Sequence, residues 1–385
     1  MPRLHYAGRP VDGWRRHRRW FIGQFALWAI LIVVLRVLVV PAEANLPVDA
    51  SAAEQAADAG GEWLQQGQAA NGKYLYGYYS EDGEVSADYN NTRHTGVMSS
   101  LYVVGRTEAG DRGLEYVMRS LVTNDDWTAF APPGDRVDVG ANALLTVALM
   151  NRRKVTGERR YDLLAKRIGR FMASQQQADG TILQFWNPTT REPVPDLVGK
   201  FSTGEAFYAY GLLNQAFPDE GWDALAHEVA DYLATRRDAA EGNFRQPDHW
   251  AAYGLAALAT DGLTDTEVDY ARWLAGYFGY LTRYEAQNFR SKLNQLHESG
   301  ASLGTMGEAM TALWQLAGEE PRLADLREPL GARISTLAGV LVDLQTGSED
   351  PDPRARGAWF FNGYTQMDDQ QHAIAAMAGS EEVLR

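Results

Sequence analysis

The run Phe201-Ser202-Thr203-Gly204-Glu205-Ala206-Phe207-Tyr208-Ala209-Tyr210 passes from a polar loop into a helix start made of small and aromatic residues. Its like recurs five times along the chain, as Asn91-Thr92-Arg93-His94-Thr95-Gly96-Val97-Met98, Asp138-Val139-Gly140-Ala141-Asn142-Ala143-Leu144, Asp248-His249-Trp250-Ala251-Ala252-Tyr253-Gly254-Leu255, Ser302-Leu303-Gly304-Thr305-Met306-Gly307-Glu308-Ala309-Met310 and Asp368-Asp369-Gln370-Gln371-His372-Ala373-Ile374-Ala375. Each puts acid, amide, hydroxyl, Arg or His at the start and continues in small or apolar residues. A helix without a polar stripe has no face to offer water and is buried. Six buried helices that begin alike predict a ring.

Segments of another kind lie between them: Ala52 to Gln68, Ala109 to Val122, Arg159 to Gln176, Trp222 to Arg236, Thr266 to Thr282 and Leu323 to Leu344. In the third, Tyr161, Leu164, Ile168, Phe171 and Met172 recur at three- and four-residue steps while Arg159, Lys166, Arg167 and Arg170 fall elsewhere, so one face is packed and the other wet. The repeat step of about 45 to 65 residues suits a helical pair with loops of varied length. The fold this predicts is all-α: an (α/α)6 toroid of six helical hairpins over residues 51–385, with inner and outer helices. An open solenoid would require polar caps at its ends, and the last repeat shows none. Short β-hairpins are expected in the loops before inner helices. One lies in Gly72 to Ser86, where Tyr74, Tyr76 and Tyr78 alternate before Glu81-Asp82-Gly83, and another runs from Asp179 to Val194 through Asn187-Pro188.

Residues 1–20 form a basic segment with Arg15, Arg16, Arg18 and Arg19 at its end, and residues 21–40 are mostly apolar, broken by Gln24 and Arg36. Twenty helical residues cover about 30 Å, the thickness of a bilayer's hydrocarbon core. The expectation is a single transmembrane anchor with the N-terminus in the cytoplasm, a linker over 41–50, and the main domain on the periplasmic or extracellular side. A cleaved signal peptide ending near Ala42-Glu43-Ala44 is the alternative. The first 45 residues carry a net charge of +5, so the whole-chain −14 leaves −19 for the remainder. So acidic a surface repels phosphate backbones and argues against nucleic acid as a partner. With 385 residues, 45% of them hydrophobic, the chain can bury a large core, and the absence of Cys excludes disulfides, thiolate metal sites and Cys nucleophiles.

Inner-helix N-termini gathered at one mouth would collect orphan amide donors and positive dipole ends, which suits carboxylates and hydroxyl-rich ligands. Asp88, Asp138, Glu205, Asp248, Glu298, Glu308, Asp368 and Asp369 are the acidic candidates, each with a plain alternative as an N-cap or first-turn residue. Arg93 reads either as their counter-ion or as a substrate contact. Of seven histidines, His94, His249, His297 and His372 fall at or near inner-helix starts. They fit acid–base groups or hydrogen-bond donors to sugar hydroxyls, and three of them with an Asp could hold Zn²⁺, although no fixed metal spacing is present. Aromatics near the same loops, Tyr208 and Trp250 among them, offer flat faces for sugar rings.

Asp179-Gly180, the stretch from Phe201 to Ala206, and Asp248-His249-Trp250, set in repeated inner and outer helices over residues 50 to 378, resemble the six-hairpin glycosidase class of (α/α)6 toroids. The resemblance implies a glycoside hydrolase first, and similar toroids include polysaccharide lyases, uronate epimerases and terpenoid cyclases. The chain departs from the cyclases, having no Asp-x-Asp-Asp motif and Ile182 where a Trp is expected. The zinc-bearing toroids use a Cys ligand, and this chain has no Cys. The expected function is therefore a membrane-anchored, outward-facing enzyme acting without a cofactor on a cell-envelope or exported polysaccharide or oligosaccharide. Glu205 and Asp248 are its expected carboxylate pair. Arg93, His94, Asp138, His249, Trp250, Glu308, Asp368, His372 and Tyr208 are its expected substrate contacts. The alternatives are a non-catalytic glycan-binding or scaffold toroid, and a lyase or uronate epimerase.

Overall fold

The computed structural model describes residues 12–36, 43–134, 136–241, 247–289 and 300–385. The chain divides into two units, 1–44 and 45–385. In the first, α1 (Asp12–Val34) begins within the basic segment and turns most of its apolar side chains outward, Phe21, Phe25 and Trp28 among them. Among the described residues no helix is long and apolar enough to cross a membrane. The span expected over 21–40 is helical as far as Val34, and its last four residues lie outside the described ones.

The second unit is built from α2 (Ala50–Gln66), α3 (Asn91–Val103), α4 (Thr107–Met118), α5 (Val139–Thr156), α6 (Asp162–Ala173), α7 (Ser202–Ala216) and α8 (Trp222–Asp231). A π-turn then leads to the short α9 (Arg237–Glu241), followed by α10 (His249–Leu258), α11 (Asp265–Asn288), α12 (Gly300–Glu319), α13 (Arg327–Leu344) and α14 (Met367–Leu384). Helices α3, α5, α7, α10, α12 and α14 are the six read from the sequence as buried. Each packs on the next and α14 returns to α3, so the inner ring is closed. Outer helices cover it, α4 on α3, α6 on α5, α8 on α7, α11 and α13 on α12, and α2 against α14. In α5, thirteen residues from Val139 to Arg152 are buried on every side, whereas α6 buries Ala165, Ile168, Gly169, Phe171 and Met172 and keeps its charges outside.

Loop strands tie the ring at its mouth. The hairpin through Asn187-Pro188 forms, β5 (Phe185–Asn187) pairing β6 (Glu192–Pro193), and β4 (Val137–Asp138) adds to its other edge. A smaller pair joins β2 (Leu121–Thr123) to β3 (Thr128–Phe130). The hairpin expected within 72–86 is reduced to one bridge, Tyr78 to Val85. Instead β1 (Gly77–Tyr79) pairs with β7 (Tyr364–Gln366), which precedes the last inner helix, and so fastens the first repeat to the sixth. The alternating tyrosines announce a strand, but a partner almost 290 residues away leaves no local mark.

Candidate active site

Inner-helix starts and loops enclose one cavity of about 760 Å³. Its polar wall carries Arg93, Asp138, Glu205, His249, Asp368 and His372. Apolar and aromatic side chains line it as well, Phe201, Trp250, Phe278, Leu281, Tyr284 and Met306. Phe278, Leu281 and Tyr284 come from α11, an outer helix of 24 residues whose last turns reach over the mouth. Sequence reading missed them because an outer helix was not expected at the site. Its unusual length was the available signal.

Four of the expected catalytic and contact residues do not line the cavity. Asp248 caps α10, accepting from the amides of Trp250 at 3.0 Å and Ala251 at 3.3 Å, and its other oxygen meets Arg237 at 2.6 Å. Both partners of that ion pair are buried, so Asp248 is a structural cap and not half of a catalytic pair. His94 points away into a nest formed by Tyr74, Tyr89 and Tyr116. Its Nε2 lies 3.1 Å from the Gly113 carbonyl, which fixes the proton there and leaves Nδ1 to accept from the Tyr89 hydroxyl at 2.6 Å. Burial drops its pKa to about 4, so it is a neutral packing residue. Tyr208 is outside the lining and stacks on Tyr253 with ring centroids 4.7 Å apart. His297 and Glu298 lie outside the described residues.

Glu308 is likewise deeper than its expected first-turn place, because α12 is already helical at Gly300 and Glu308 falls two turns later. There its Oε2 accepts from His372 Nδ1 at 2.6 Å and its Oε1 accepts from the Tyr253 hydroxyl at 3.2 Å. His372 stands in the second turn of α14, with Nε2 3.6 Å from Asp368. Burial pulls His372 down, but the Glu308 charge and hydrogen bond, aided by Asp368 and Asp369, reverse this and raise its pKa to about 8. His249 opens α10 with its ring 5.0 Å from that of His372 and 4.4 Å from that of Trp250. Its Nε2 is buried and has no hydrogen-bond partner among the described residues. Burial, and then the charge of His372, hold its pKa well below the usual imidazole value. The surroundings thus push the two facing imidazoles in opposite directions, His249 toward the neutral form and His372 toward the cationic one, the arrangement that suits a base and an acid.

Arg93 bridges Asp368 at 3.3 Å and donates to the Tyr76 hydroxyl at 2.8 Å. Asp368 sits in the first turn of α14 and is not a cap; the capping box there is formed by Gln366 and Asp369. Asp138 caps α5 through the Gly140 amide at 2.8 Å while still facing the cavity. Glu205 is 5% exposed, and no described group hydrogen-bonds its carboxyl. Of the histidines expected as a zinc set, His249 and His372 come together, His94 is turned away and His297 lies outside the described residues. Among the described residues His249, Glu308 and His372 offer ligand atoms within 4.8 Å of one another. The 2.6 Å contact between His372 and Glu308 is a hydrogen-bond length, and two ligands held about 2.0–2.1 Å from a tetrahedral zinc stand farther apart, so the spacing fits a shared proton.

No protein-family description matches the sequence, and no curated protein matches it. Solved structures match the fold over most of the chain. Among them are a cellobiose 2-epimerase from Spirochaeta thermophila (TM-score 0.59, 13% identity, covering 87% of this chain and 96% of that one) and an alpha-amylase from Clostridium perfringens (0.55, 10%, 85% and 97%). A family 76 glycoside hydrolase from Bacteroides thetaiotaomicron is a third (0.54, 13%, 85% and 77%). The chain folds as a six-hairpin glycosidase-like (α/α)6 toroid. At these identities the likeness carries the fold, and the chemistry rests on the cavity.

Proposed function

We propose that this protein is a carbohydrate-active enzyme that moves a proton at a sugar carbon next to the carbonyl, an epimerase or isomerase of a reducing sugar or oligosaccharide. The observation that carries it is the pair of imidazoles 5.0 Å apart on the wall of a cavity that also carries aromatic side chains, their surroundings pushing the two pKa values in opposite directions. His249, neutral and with a free ring nitrogen, takes the carbon-bound proton, and the imidazolium of His372 returns one. Arg93, on the wall of the same cavity, is the cation that would stabilise negative charge developing on the enediolate oxygen. Trp250 and Phe201 offer flat faces to the pyranose. The cellobiose 2-epimerase among the structural neighbours agrees with this reading, which differs from hydrolysis by Glu205 and Asp248.

Incubating the protein with glucose, mannose and cellobiose in D₂O tests it by NMR. Deuterium should enter at the carbon beside the carbonyl, and His249→Asn or His372→Asn should slow entry by about 10²- to 10⁴-fold. Absence of deuterium in every sugar would rule the reading out.

A second reading is favoured by one observation, the unpaired Glu205 carboxyl sharing the cavity with the ion-paired Asp368. On that reading Glu205 is the general acid and Asp368 the base of a glycoside hydrolase, and new reducing ends would accumulate from a glycan without deuterium at carbon.

We also propose attachment to a membrane through α1 and the residues after it, with the toroid on the outer side. The exposed apolar side chains of α1 and its basic start support this. Recovery of the full chain in the soluble fraction of its own cells would contradict it.

A further inference from the structure

We propose that Glu205 and Asp138 form a second catalytic pair in the same cavity, one that opens and closes the ring of a cyclic reducing sugar and so interconverts its anomers. The inference rests on the reading above only in taking a reducing sugar as the occupant.

The histidine chemistry needs an open-chain carbonyl, whereas reducing sugars are dissolved almost wholly as rings, and the histidines leave Glu205 unused. Glu205 is nine-tenths buried on the cavity wall with no hydrogen bond among the described residues. Gly140 makes room for it. A Cβ there would stand 2.3 Å from Glu205 Oε2 and 3.2 Å from Asp138 Oδ1, the oxygen that caps α5, so the two carboxyls are neighbours at the start of α5 and Asp138 keeps Oδ2, 3.4 Å from the Thr92 hydroxyl, for other partners. Burial, then the charges of Asp138, Asp248 and Asp368, push the Glu205 carboxyl well above the usual carboxylate range. Asp138 is raised less, because amides of Gly140 and Ala141 and the Thr92 hydroxyl oppose its burial. Both are raised, Glu205 the more strongly, which suits Glu205 to donate a proton and Asp138 to accept one.

In the opening step the Glu205 O–H gives its proton to the ring oxygen. The bond from that oxygen to the anomeric carbon breaks, its electrons staying on oxygen. Asp138 takes the anomeric hydroxyl proton, and the O–H electrons become the carbonyl π bond. Closure runs the two transfers backwards on either face of the carbonyl. Each carboxyl then regains its starting state.

Exchange between α and β anomers of glucose, mannose and cellobiose, followed by NMR saturation transfer near pH 6, reads this step, and deuterium entry read on the same samples reports the histidine chemistry separately. The wild-type protein should accelerate anomer exchange above buffer for at least one sugar. Glu205→Gln, isosteric and checked for folding by its melting curve, should lose at least about tenfold of that acceleration, and Asp138→Asn likewise. Absence of acceleration by the wild-type protein, or a folded Glu205→Gln that matches it, would overturn the proposal whatever happens to deuterium.

Discussion

At the scale of single residues, the site turns on which side of a helix start an acid falls. Asp248 lies one position before α10 begins and Asp368 one position after α14 begins, and about 100° of rotation per residue sends the first into the wall and the second into the cavity. Both read alike in sequence, an acid beside a small apolar helix. The choice between them needed the helix register and the partner Arg237, which follows a π-turn and carries no local signal. Asp248→Ala should lower the unfolding free energy by about 3–5 kcal/mol, measured by urea titration, since it takes the buried carboxylate away from the Arg237 guanidinium. His372 gives the pH dependence its sign. Its folded pKa of about 8 lies above the ordinary 6.5, so its stabilising contribution is complete below 6.5 and disappears as pH rises through 8. Turnover, which needs the same proton, should fall along that limb in a pH–rate profile. A profile still rising above pH 8 would contradict this role for His372.

Helices were the most legible level, and their depth the least. Full burial of the inner set and the one-sided pattern of the outer set follow from residue periodicity, which is why all twelve ring helices were readable. What periodicity cannot give is the level each residue reaches along the toroid axis. In sequence Glu308 reads as a first-turn residue, since Ser302-Leu303-Gly304-Thr305 looks like the polar start of a helix. In the fold that stretch is already helix, packed so tightly on α14 that a Cβ on Gly304 would stand 2.4 Å from the backbone carbon of His372. Main chain cannot move aside as a side-chain tip can. Gly304→Ala should therefore cost about 1–3 kcal/mol in thermal or urea unfolding and displace His372, lowering deuterium exchange as well.

Across the whole molecule, closure is what converts six separate helix starts into one site. The β1–β7 pairing joins sequence ends, and α2 lies against α14, so every inner helix has two inner neighbours. An open solenoid unfolds in stages from its ends, whereas a closed ring has no end from which to begin. Far-UV circular dichroism and tryptophan fluorescence should accordingly report one coincident urea transition for residues 45–385, and two separated midpoints would argue against closure as the stabilising feature. Ring closure also brings α10 against α12 and α12 against α14, and so sets His249, Glu308 and His372 together. The most direct check of the account is the protonation of these imidazoles, read by ¹⁵N-detected histidine NMR and assigned with His249→Asn and His372→Asn. At pH 7 the account predicts an imidazolium at His372 titrating near pH 8 and a neutral ring at His249 that stays neutral well below pH 6.5. Two rings in the same state, both titrating near 6.5, would contradict it.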